Sequence, residues 1–307
     1  MRVFFIACSV AAITASSRID VAIASEQVPM FQRILSTDIK EPTTLSVAVS
    51  RGNVEIGYGR EGQVALYAFG KDAGGKDLPA EFFAKNLVIE QTGNIVSIRD
   101  SLSSDSLLSS LYTIKYQLDV PHRTTVDSVV SGTGNQSLTG ITGPAKLVSG
   151  AGDITAVYVH FAPVYAKTGK GNISCTRDFE VNAETGEGNI TLMENGNSKA
   201  VVKGGRGKIE VGGARGAVDG STDTGTLHVR AVPWGDWQLK SGSGNIHIEL
   251  PPKAKFDFDA SSDSGGIDIE REDLQRPEGE VHRLHQQVNG GGTHITARSV
   301  KGTISIE

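Results

Sequence analysis

One glycine recurs through the second half of the chain at a nearly constant spacing. Its positions are Gly152, Gly171, Gly188, Gly207, Gly225, Gly244, Gly265 and Gly302. The successive spacings are 19, 17, 19, 18, 19, 21 and 37 residues, so the last interval is one period plus an insert. A fixed period of this size is typical of stacked supersecondary units, none of which can bury its apolar face alone.

Four apolar columns keep fixed positions relative to this glycine. Two residues after it stand Ile154, Ile173, Ile190, Ile209, Leu227, Ile246, Ile267 and Ile304. Four residues after it stand Ala156, Cys175, Leu192, Val211, Val229, Ile248, Ile269 and Ile306. Seven residues before it stand Ala145, Val164, Val181, Ala200, Val218, Trp237, Phe258 and Ile295. Five residues before it stand Leu147, Ala166, Ala183, Val202, Gly220, Leu239, Ala260 and Ala297. This alternation predicts two short strands per unit, each with one buried face.

The columns predict an all-β fold, a single-stranded parallel β-helix (β-solenoid) of about eight coils. Stacking would place like residues on like residues and join the columns into one core. The glycine would form the corner between the two strands, with a positive φ that other residues resist. A meander of antiparallel hairpins is the alternative, because strand–Gly-x-Gly–strand is also a hairpin sequence. The end-to-end match of all four columns favours the solenoid.

Two polar columns fit the same stack. Three residues before the glycine stand Ser149, Thr168, Thr185, Thr222, Ser241, Ser262 and Ser299, with Gly204 as the exception. Directly after the glycine stand Asn172, Asn189 and Asn245, with Asp153 in the first unit. We expect the hydroxyls to bond along the stack or to the corner backbone, and the amides to form ladders.

The repeat weakens before Gly134. Residues 45–56 (LSVAVSRGNVEI) predict two strands around Gly52. Residues 38–130 are interpreted as an irregular N-terminal β region that caps the first coil, because solenoid ends are open edges that need cover. The Gly-rich solenoid is assigned to residues 131–307. Its charged insert, residues 270–289, is expected to be a surface excursion before the final coil.

The first residues resemble an export signal. Arg2 precedes an apolar run over residues 3–15, which is too short for a membrane span of about 20 residues. Ala22-Ile23-Ala24 offers a small-x-small cleavage site, and Ala15-Ser16-Ser17 is the alternative site. Cleavage after Ala24 is favoured, so residues 1–24 are predicted to be a signal peptide. The chain is then exported, as a periplasmic, cell-envelope-associated or secreted protein without a transmembrane segment. A buried strand or an uncleaved anchor is the alternative. Cleavage leaves Cys175 as the remaining cysteine, which excludes a disulfide within the chain.

A family resemblance follows from the order of these segments. RGNVEI and YQLDVPHRTTVDSV come first, then TGKGNI, TGEGNI, SGSGNI and SDSGGI, and finally VNGGGTHITARSVKGTISIE. Over residues 40–307 the chain resembles the bacterial putative-adhesin domain family of unknown function. The resemblance implies an exported, Gly-rich β-helical protein and carries no catalytic residues.

Charge and composition restrict the kinds of molecule that this protein is expected to bind. The formal net charge of −5 argues against nucleic acid, which basic proteins bind through phosphate contacts. No cofactor motif is found, because no helix is expected after the Gly-x-Gly segments. The sequence does not identify the partner, and a cell-envelope glycan or protein is the candidate.

One outward column carries candidate metal ligands. Three residues after the corner glycine stand Glu210, His228, His247 and Asp268, in four units that are successive in sequence. Stacked units would place them side by side, about 4.8 Å apart, on the solvent face. Two imidazoles flanked by carboxylates are plausible ligands for a zinc-like ion. The alternative is a solvated ladder of complementary charges.

Two tryptophans and a group of aspartates complete the candidates. Trp234 lies in a loop and is a candidate for stacking on a sugar ring, whereas Trp237 falls in an inner column and is expected in the core. Asp257 and Asp259 alternate with Phe256 and Phe258, which indicates that the two aspartates lie on the solvent-exposed face of one strand. The sequence therefore favours a non-enzymatic, adhesin-like structural or binding protein. The alternatives are a polysaccharide-active β-helix enzyme and a metal-dependent binding module.

Overall fold

The computed structural model describes residues 28–102, 111–194, 199–275 and 277–307. The predicted signal peptide, Cys8 included, lies outside these residues. Within them the chain is almost entirely β-structure and winds into coils, each made of one strand in each of two facing sheets. The elements fall into three regions.

The first region precedes the regular repeat. Its elements are β1 (Phe31–Ser36), β2 (Thr43–Arg51), β3 (Asn53–Tyr58), β4 (Gln63–Asp72), α1 (Ala80–Asn86), β5 (Leu87–Thr92), β6 (Ile95–Asp100) and β7 (Tyr112–Val120).

The middle region contains the regular coils. Its elements are β8 (Thr124–Thr133), β9 (Gln136–Thr139), β10 (Ala145–Ala151), β11 (Ile154–Val157), β12 (Pro163–Lys170), β13 (Ile173–Thr176), β14 (Glu180–Glu187), β15 (Ile190–Met193), β16 (Ala200–Arg206), β17 (Ile209–Gly212), β18 (Val218–Thr222), β19 (Leu227–Arg230), β20 (Trp237–Ser241) and β21 (Ile246–Glu249).

The last region closes the stack. Its elements are β22 (Phe256–Ser262), β23 (Ile267–Ile269), β24 (Arg283–Val288), β25 (Thr293–Ser299) and β26 (Ile304–Ile306).

The described strands form two 13-stranded sheets. Sheet A has the order β1-β4-β7-β3-β9-β11-β13-β15-β17-β19-β21-β26-β23. Sheet B has the order β24-β22-β25-β20-β18-β16-β14-β12-β10-β8-β2-β6-β5. Successive coils of the middle region pair in parallel, with Ile173 opposite Ile190 and Val164 opposite Val181. The chain is therefore a β-solenoid, as the repeat predicted, and the hairpin meander is excluded.

The core lies between the two sheets and is built from the predicted columns. Ile154, Ile190, Leu227 and Ile304 have no exposed surface, and their column neighbours are equally buried. Ile269 is the exception and is half-buried, because its strand β23 ends sheet A. Cys175 is buried in its column, and burial raises the pKa of its thiol well above the usual value. The Cys175 side chain therefore acts as a small apolar group.

The corner glycines stack directly on one another. A Cβ on Gly188 would overlap the carbonyl oxygen of Gly171, and the same relation recurs along the ladder. The expected positive φ occurs at the earlier corners, such as 141° at Gly188, but not at Gly225, Gly244, Gly265 or Gly302. At the later corners the backbone angle does not require glycine. Glycine is required there only because the backbones of two neighbouring coils approach too closely for a side chain. Among the described residues, two more coils with the same corner, at Gly52 and Gly134, precede the eight that the repeat revealed.

Both polar ladders form. The buried Thr168 and Thr185 hydroxyls donate to the Gly152 and Gly171 carbonyls of the preceding coil, each at 2.9 Å. The Asn172 side-chain oxygen accepts a hydrogen bond from the Asn189 backbone amide at 2.9 Å. Equivalent bonds link the coils from Asn53 to Lys208. The ladders satisfy corner groups that the strands leave unpaired.

The order of coils departs from the sequence at the end of the chain. We define residues 293–306, which comprise β25 and β26, as the inserted coil. It pairs with β20 and β21 on one side and with β22 and β23 on the other. The order of the coils in the stack therefore differs from their order in the sequence. The charged insert supplies β24, which pairs antiparallel with β22 and covers it. It is thus more than a surface excursion.

The first region repeats this arrangement at the other end. β2 and β3 pair in parallel with β8 and β9, so residues 43–58 are a coil of the stack rather than part of an irregular cap. The boundary expected at 130/131 lies inside β8. The chain between β3 and β8 lies outside this coil: β6 and β7 pair in parallel with β2 and β3, and β5 and β4 pair antiparallel with β6 and β7. The N-terminal strand β1 pairs antiparallel with β4 and ends sheet A. Capping strands are therefore present, but they flank this coil in sequence: β1 precedes it, and β4 to β7 follow it.

Candidate functional site

The outward face of sheet A brings the two predicted histidines together. Glu210 pairs with His228, and His228 pairs with His247 across β17, β19 and β21. Ser305 of the inserted coil comes next, and Asp268 lies beyond it on β23. Asp268 is therefore not adjacent to His247, because the inserted coil separates their strands.

Two glutamates complete a compact group around the histidines. We name His228, His247, Glu249 and Glu307 the histidine–glutamate cluster. Within it, the His228 Nε2 lies 2.5 Å from the Glu249 Oε1. The His247 Nε2 lies 2.9 Å from the Glu307 Oε1 and 3.4 Å from the Glu249 Oε1. The two imidazole centroids are 4.7 Å apart. The ligand atoms of His228, His247 and Glu249 all lie within 4.8 Å of one another.

Second contacts orient this cluster. The His247 Nδ1 lies 2.6 Å from the Ser305 Oγ, which places the opposite ring nitrogen toward the glutamates. The Arg230 Nε lies 3.9 Å from the Glu249 Oε2 and leaves the Oε1 directed at the imidazoles. The histidine side chains and Glu249 are between 20 and 30% exposed, so the cluster is partly shielded from water.

The other two predicted ligands have different surroundings. The Glu210 carboxylate accepts a hydrogen bond from Lys208 at 2.8 Å, which lowers the pKa of that carboxyl. Asp268 is exposed. Neither belongs to the cluster, although Glu210 remains a register neighbour of His228.

Sequence reasoning missed Glu249 and Glu307. Both lie five residues after a corner glycine, a column that also contains Arg230 and Glu270. That column is a usable signal, since its residues share a sheet face with the histidines. The proximity of Glu307 to His247 could not be found in this way, because it depends on the position of the inserted coil.

A concave surface adjoins the cluster. We name it the corner groove. It crosses the ends of β15, β17, β19 and β21 at Met193, Gly212, Arg230 and Glu249, and it has a volume of about 660 Å³. Gly212 and the following glycine also line it, and the Met193 sulfur lies over Gly212. Glu249 therefore belongs both to the groove wall and to the histidine–glutamate cluster.

An exposed aromatic ring lies beside the corner groove. Trp234 is 62% exposed, and the Arg215 guanidinium, which lines the groove, lies 5.6 Å from the centroid of its ring. Trp237 is fully buried and donates from its Nε1 to the Gly216 carbonyl at 3.1 Å. The two tryptophans thus occupy the core and surface positions that the sequence predicted for them.

A row of polar side chains continues from the groove along the same corner. Tyr158, Arg177 and Glu194 occupy equivalent positions in successive coils, and all three have a positive φ near 60°. Arg177 binds the Glu194 carboxylate at 2.5 Å and the Tyr158 hydroxyl. Bulky residues rarely adopt this conformation, so the corner holds them there at an energetic cost.

The fold defines a class of protein, a parallel β-solenoid with two facing sheets and covered ends. A family model, Toastrack DUF4097, matches residues 43–307. The chain belongs to this family, a domain family of unknown function, in agreement with the resemblance found in the sequence. No curated protein matches the chain. No helix in the described part of the chain is long and apolar enough to cross a membrane.

Solved structures are similar over most of the chain. One is described as a putative lipid binding protein from Parabacteroides distasonis, with 13% identity, a TM-score of 0.49 and coverage of 90% of this chain and 96% of that one. A putative adhesin from Bacteroides fragilis shows 13% identity, a TM-score of 0.46 and the same coverage. A putative adhesin from Parabacteroides distasonis shows 12% identity, a TM-score of 0.44 and again the same coverage.

Proposed function

We propose that this protein is an exported, non-enzymatic binding module of the cell envelope that holds a glycan chain in the corner groove. The observation that carries the proposal is the exposed Trp234 ring beside that groove, in contact with the Arg215 guanidinium. A solvent-facing indole held by a cation offers a flat apolar surface on which a sugar ring can stack.

The shape of the groove supports an extended ligand. It crosses four neighbouring strands, which corresponds to about 14 Å at the usual strand spacing. Its wall mixes the apolar Met193 and Leu250 with the charged Arg230 and Glu249. Such a surface can pack against sugar rings and hydrogen-bond to their hydroxyls.

The carboxylates of the groove support binding rather than hydrolysis. Glu194 is held by Arg177 at 2.5 Å, and Glu249 is held by His228 at 2.5 Å. A glycosidase needs two carboxyl groups that are available as acid and as base or nucleophile. Here both groups are engaged by basic side chains. Asp257 and Asp259, the other acidic candidates, lie on the outward face of β22.

Glycan binding can be tested by calorimetric titration of the purified protein with chito-, cello- and manno-tetraose and with soluble muropeptides. We expect one of these to bind and to change the fluorescence of Trp234, while the buried Trp237 contributes a constant background. Trp234→Ala should abolish binding. Gly212→Gln should weaken it, because the new side chain would enter the groove and displace the flexible Met193 side chain that lines it.

Phe161→Ala is the matched control, because Phe161 is 84% exposed but is not among the residues that line the groove. It should bind like the unchanged protein. Binding that survives both Trp234→Ala and Gly212→Gln, or no binding by any probe at millimolar concentration, would overturn the proposal.

Export is tested separately. Expression of the full chain in a Gram-negative host should yield an exported product whose first residue is Ser25, as read by N-terminal sequencing. Deletion of residues 2–24 should retain the protein in the cytoplasm. Equal export of both forms would contradict the signal peptide.

A further inference from the structure

We propose that the histidine–glutamate cluster binds one Zn²⁺ or a similar transition-metal ion. The site does not depend on glycan binding, although it shares Glu249 with the corner groove. Its ligands would be the Nε2 atoms of the two histidines and one carboxylate oxygen from each glutamate.

The donor set matches what zinc prefers. Two imidazole nitrogens and two carboxylate oxygens give a four-coordinate site of borderline-soft and hard ligands. In a tetrahedral site with bonds of about 2.0–2.1 Å, ligand atoms lie about 3.3 Å from one another. The distances within the cluster that involve Glu249 or Glu307 are 2.5, 2.9 and 3.4 Å. The donor atoms of His228, His247 and Glu249 therefore already surround one small volume, and Glu307 lies beside His247. Slight outward movement of these side chains would admit an ion.

Ser305 supplies the second contact that metal-binding histidines usually make. Its Oγ lies 2.6 Å from the His247 Nδ1. If the Nδ1–H donates to this hydroxyl, the lone pair of the Nε2 faces the two glutamates. Ser305 is thus a positioning residue, since it would act through His247 and not touch the ion.

The local charge also favours a cation. Glu249, Glu307 and Glu270 lie at equivalent positions in coils that are neighbours in the stack. Arg230 is the cation in contact with Glu249, and it approaches the oxygen that faces away from the imidazoles. Two carboxylates with two imidazoles leave a net negative site that a divalent ion would neutralise.

The site would also fix the position of the inserted coil. His228 belongs to β19, His247 and Glu249 to β21, and Glu307 follows β26 directly. One ion would therefore tie the inserted coil to two coils of the regular stack. Metal binding should stabilise the end of the solenoid, since a ligand that binds only the folded form raises its stability.

The test is calorimetric titration of the chelator-treated full chain with zinc chloride. We expect one Zn²⁺ per chain with micromolar or tighter affinity, and a rise in Tm on loading. His247→Ala and Glu249→Gln should each reduce affinity at least tenfold. Co²⁺ in place of zinc should give the intense visible absorption of a tetrahedral site.

Matched controls separate this site from surface binding. His294→Ala removes an exposed histidine elsewhere, and Asp268→Asn removes the excluded candidate. Both should bind zinc like the unchanged protein. Ser305→Ala should weaken binding by about tenfold and Ser305→Thr should restore it, because second contacts tune metal affinity by about that factor. Circular dichroism and the Tm without zinc will show that each variant is folded.

Three outcomes would overturn the proposal: no zinc uptake, uptake unaffected by His247→Ala, or uptake of several ions without a defined stoichiometry. Glycan binding that persists in His247→Ala while zinc binding is lost would separate this site from the proposed function.

Discussion

The middle of the solenoid and its two ends differ in how their strands are covered by neighbouring strands. From β8 to β21 each coil has an almost identical neighbour on either side, so one residue pattern serves every coil. At the ends one neighbour is missing. At both ends the order of coils in the stack differs from their order in the sequence, because the first or the last coil of the chain lies inside the stack. The outermost strands there, such as β24 and β5, pair antiparallel with their neighbours. An exposed strand edge invites aggregation, so the ends need solutions that a repeat cannot provide.

The two regions should differ most in their tolerance of a side chain at glycine. Gly188→Ala would drive its Cβ into the Gly171 carbonyl of the preceding coil, and Gly188 also has a φ of 141°. We expect a loss of at least about 4 kcal/mol in the free energy of unfolding. Gly93→Ala, in the β5–β6 hairpin with open space around it, should cost only about 1–2 kcal/mol for its left-handed conformation. Urea unfolding followed by circular dichroism measures both, and equal losses would contradict the comparison.

Core truncations in one column should show the same gradient. Ile248 is fully buried inside the stack, whereas Ile269 is half-buried on the last strand of sheet A. Ile248→Ala should destabilise the protein by about 2–5 kcal/mol and Ile269→Ala by roughly 1 kcal/mol, since the cost grows with the cavity that remains. The measurement is again the urea midpoint. A larger loss for Ile269→Ala would mean that the end, not the middle, limits stability.

A buried carboxyl in the middle region should make stability depend on pH. Burial raises the pKa of Asp178 to about 6, although the Val159 amide donates to this carboxylate at 2.8 Å. Between about pH 4 and pH 6 the folded state then binds more protons than the unfolded state. The contribution of Asp178 to stability is therefore fully present at low pH and falls as pH rises through 6.

Asp178→Asn should remove this dependence. The variant should match the unchanged protein near pH 4 and be more stable at pH 7.5, by up to about 3 kcal/mol, the equivalent of the pKa shift. Urea unfolding at several pH values gives the difference between the two curves. A difference that stays constant from pH 4 to pH 7.5 would contradict the assignment.

Exposed ion pairs of the middle region should matter least. Lys167 and Glu184 lie on neighbouring strands of sheet B, 2.7 Å apart and well exposed. Surface pairs of this kind contribute little, because water and salt screen them. Lys167→Ala should leave the urea midpoint unchanged within error, and Glu184→Ala serves as its partner control. A clear shift would show that the charge ladder helps to set the register of the coils.

The sequence predicted the middle region well and the site only in part. We could predict the inner columns, the hydroxyl column and the asparagine ladder from the sequence, because each depends on contacts between units that are adjacent in sequence. The pairing of His228 with His247 could be predicted for the same reason. The contact of His247 with Ser305 and Glu307 was not, because the coil that supplies them crosses over β22 and β23 before it pairs with β21.

The sequence by itself therefore determined the solenoid, because a repeated apolar pattern can bury itself only by stacking like units. It also determined that the corners must be glycine, where backbones approach too closely for a side chain. The tertiary structure alone decided the order of the end coils, and with it which carboxylates lie beside the histidines. The order of the end coils depends on how segments that are distant in sequence cover the open sheet edges. No local sequence pattern indicates which of these segments lies inside the stack.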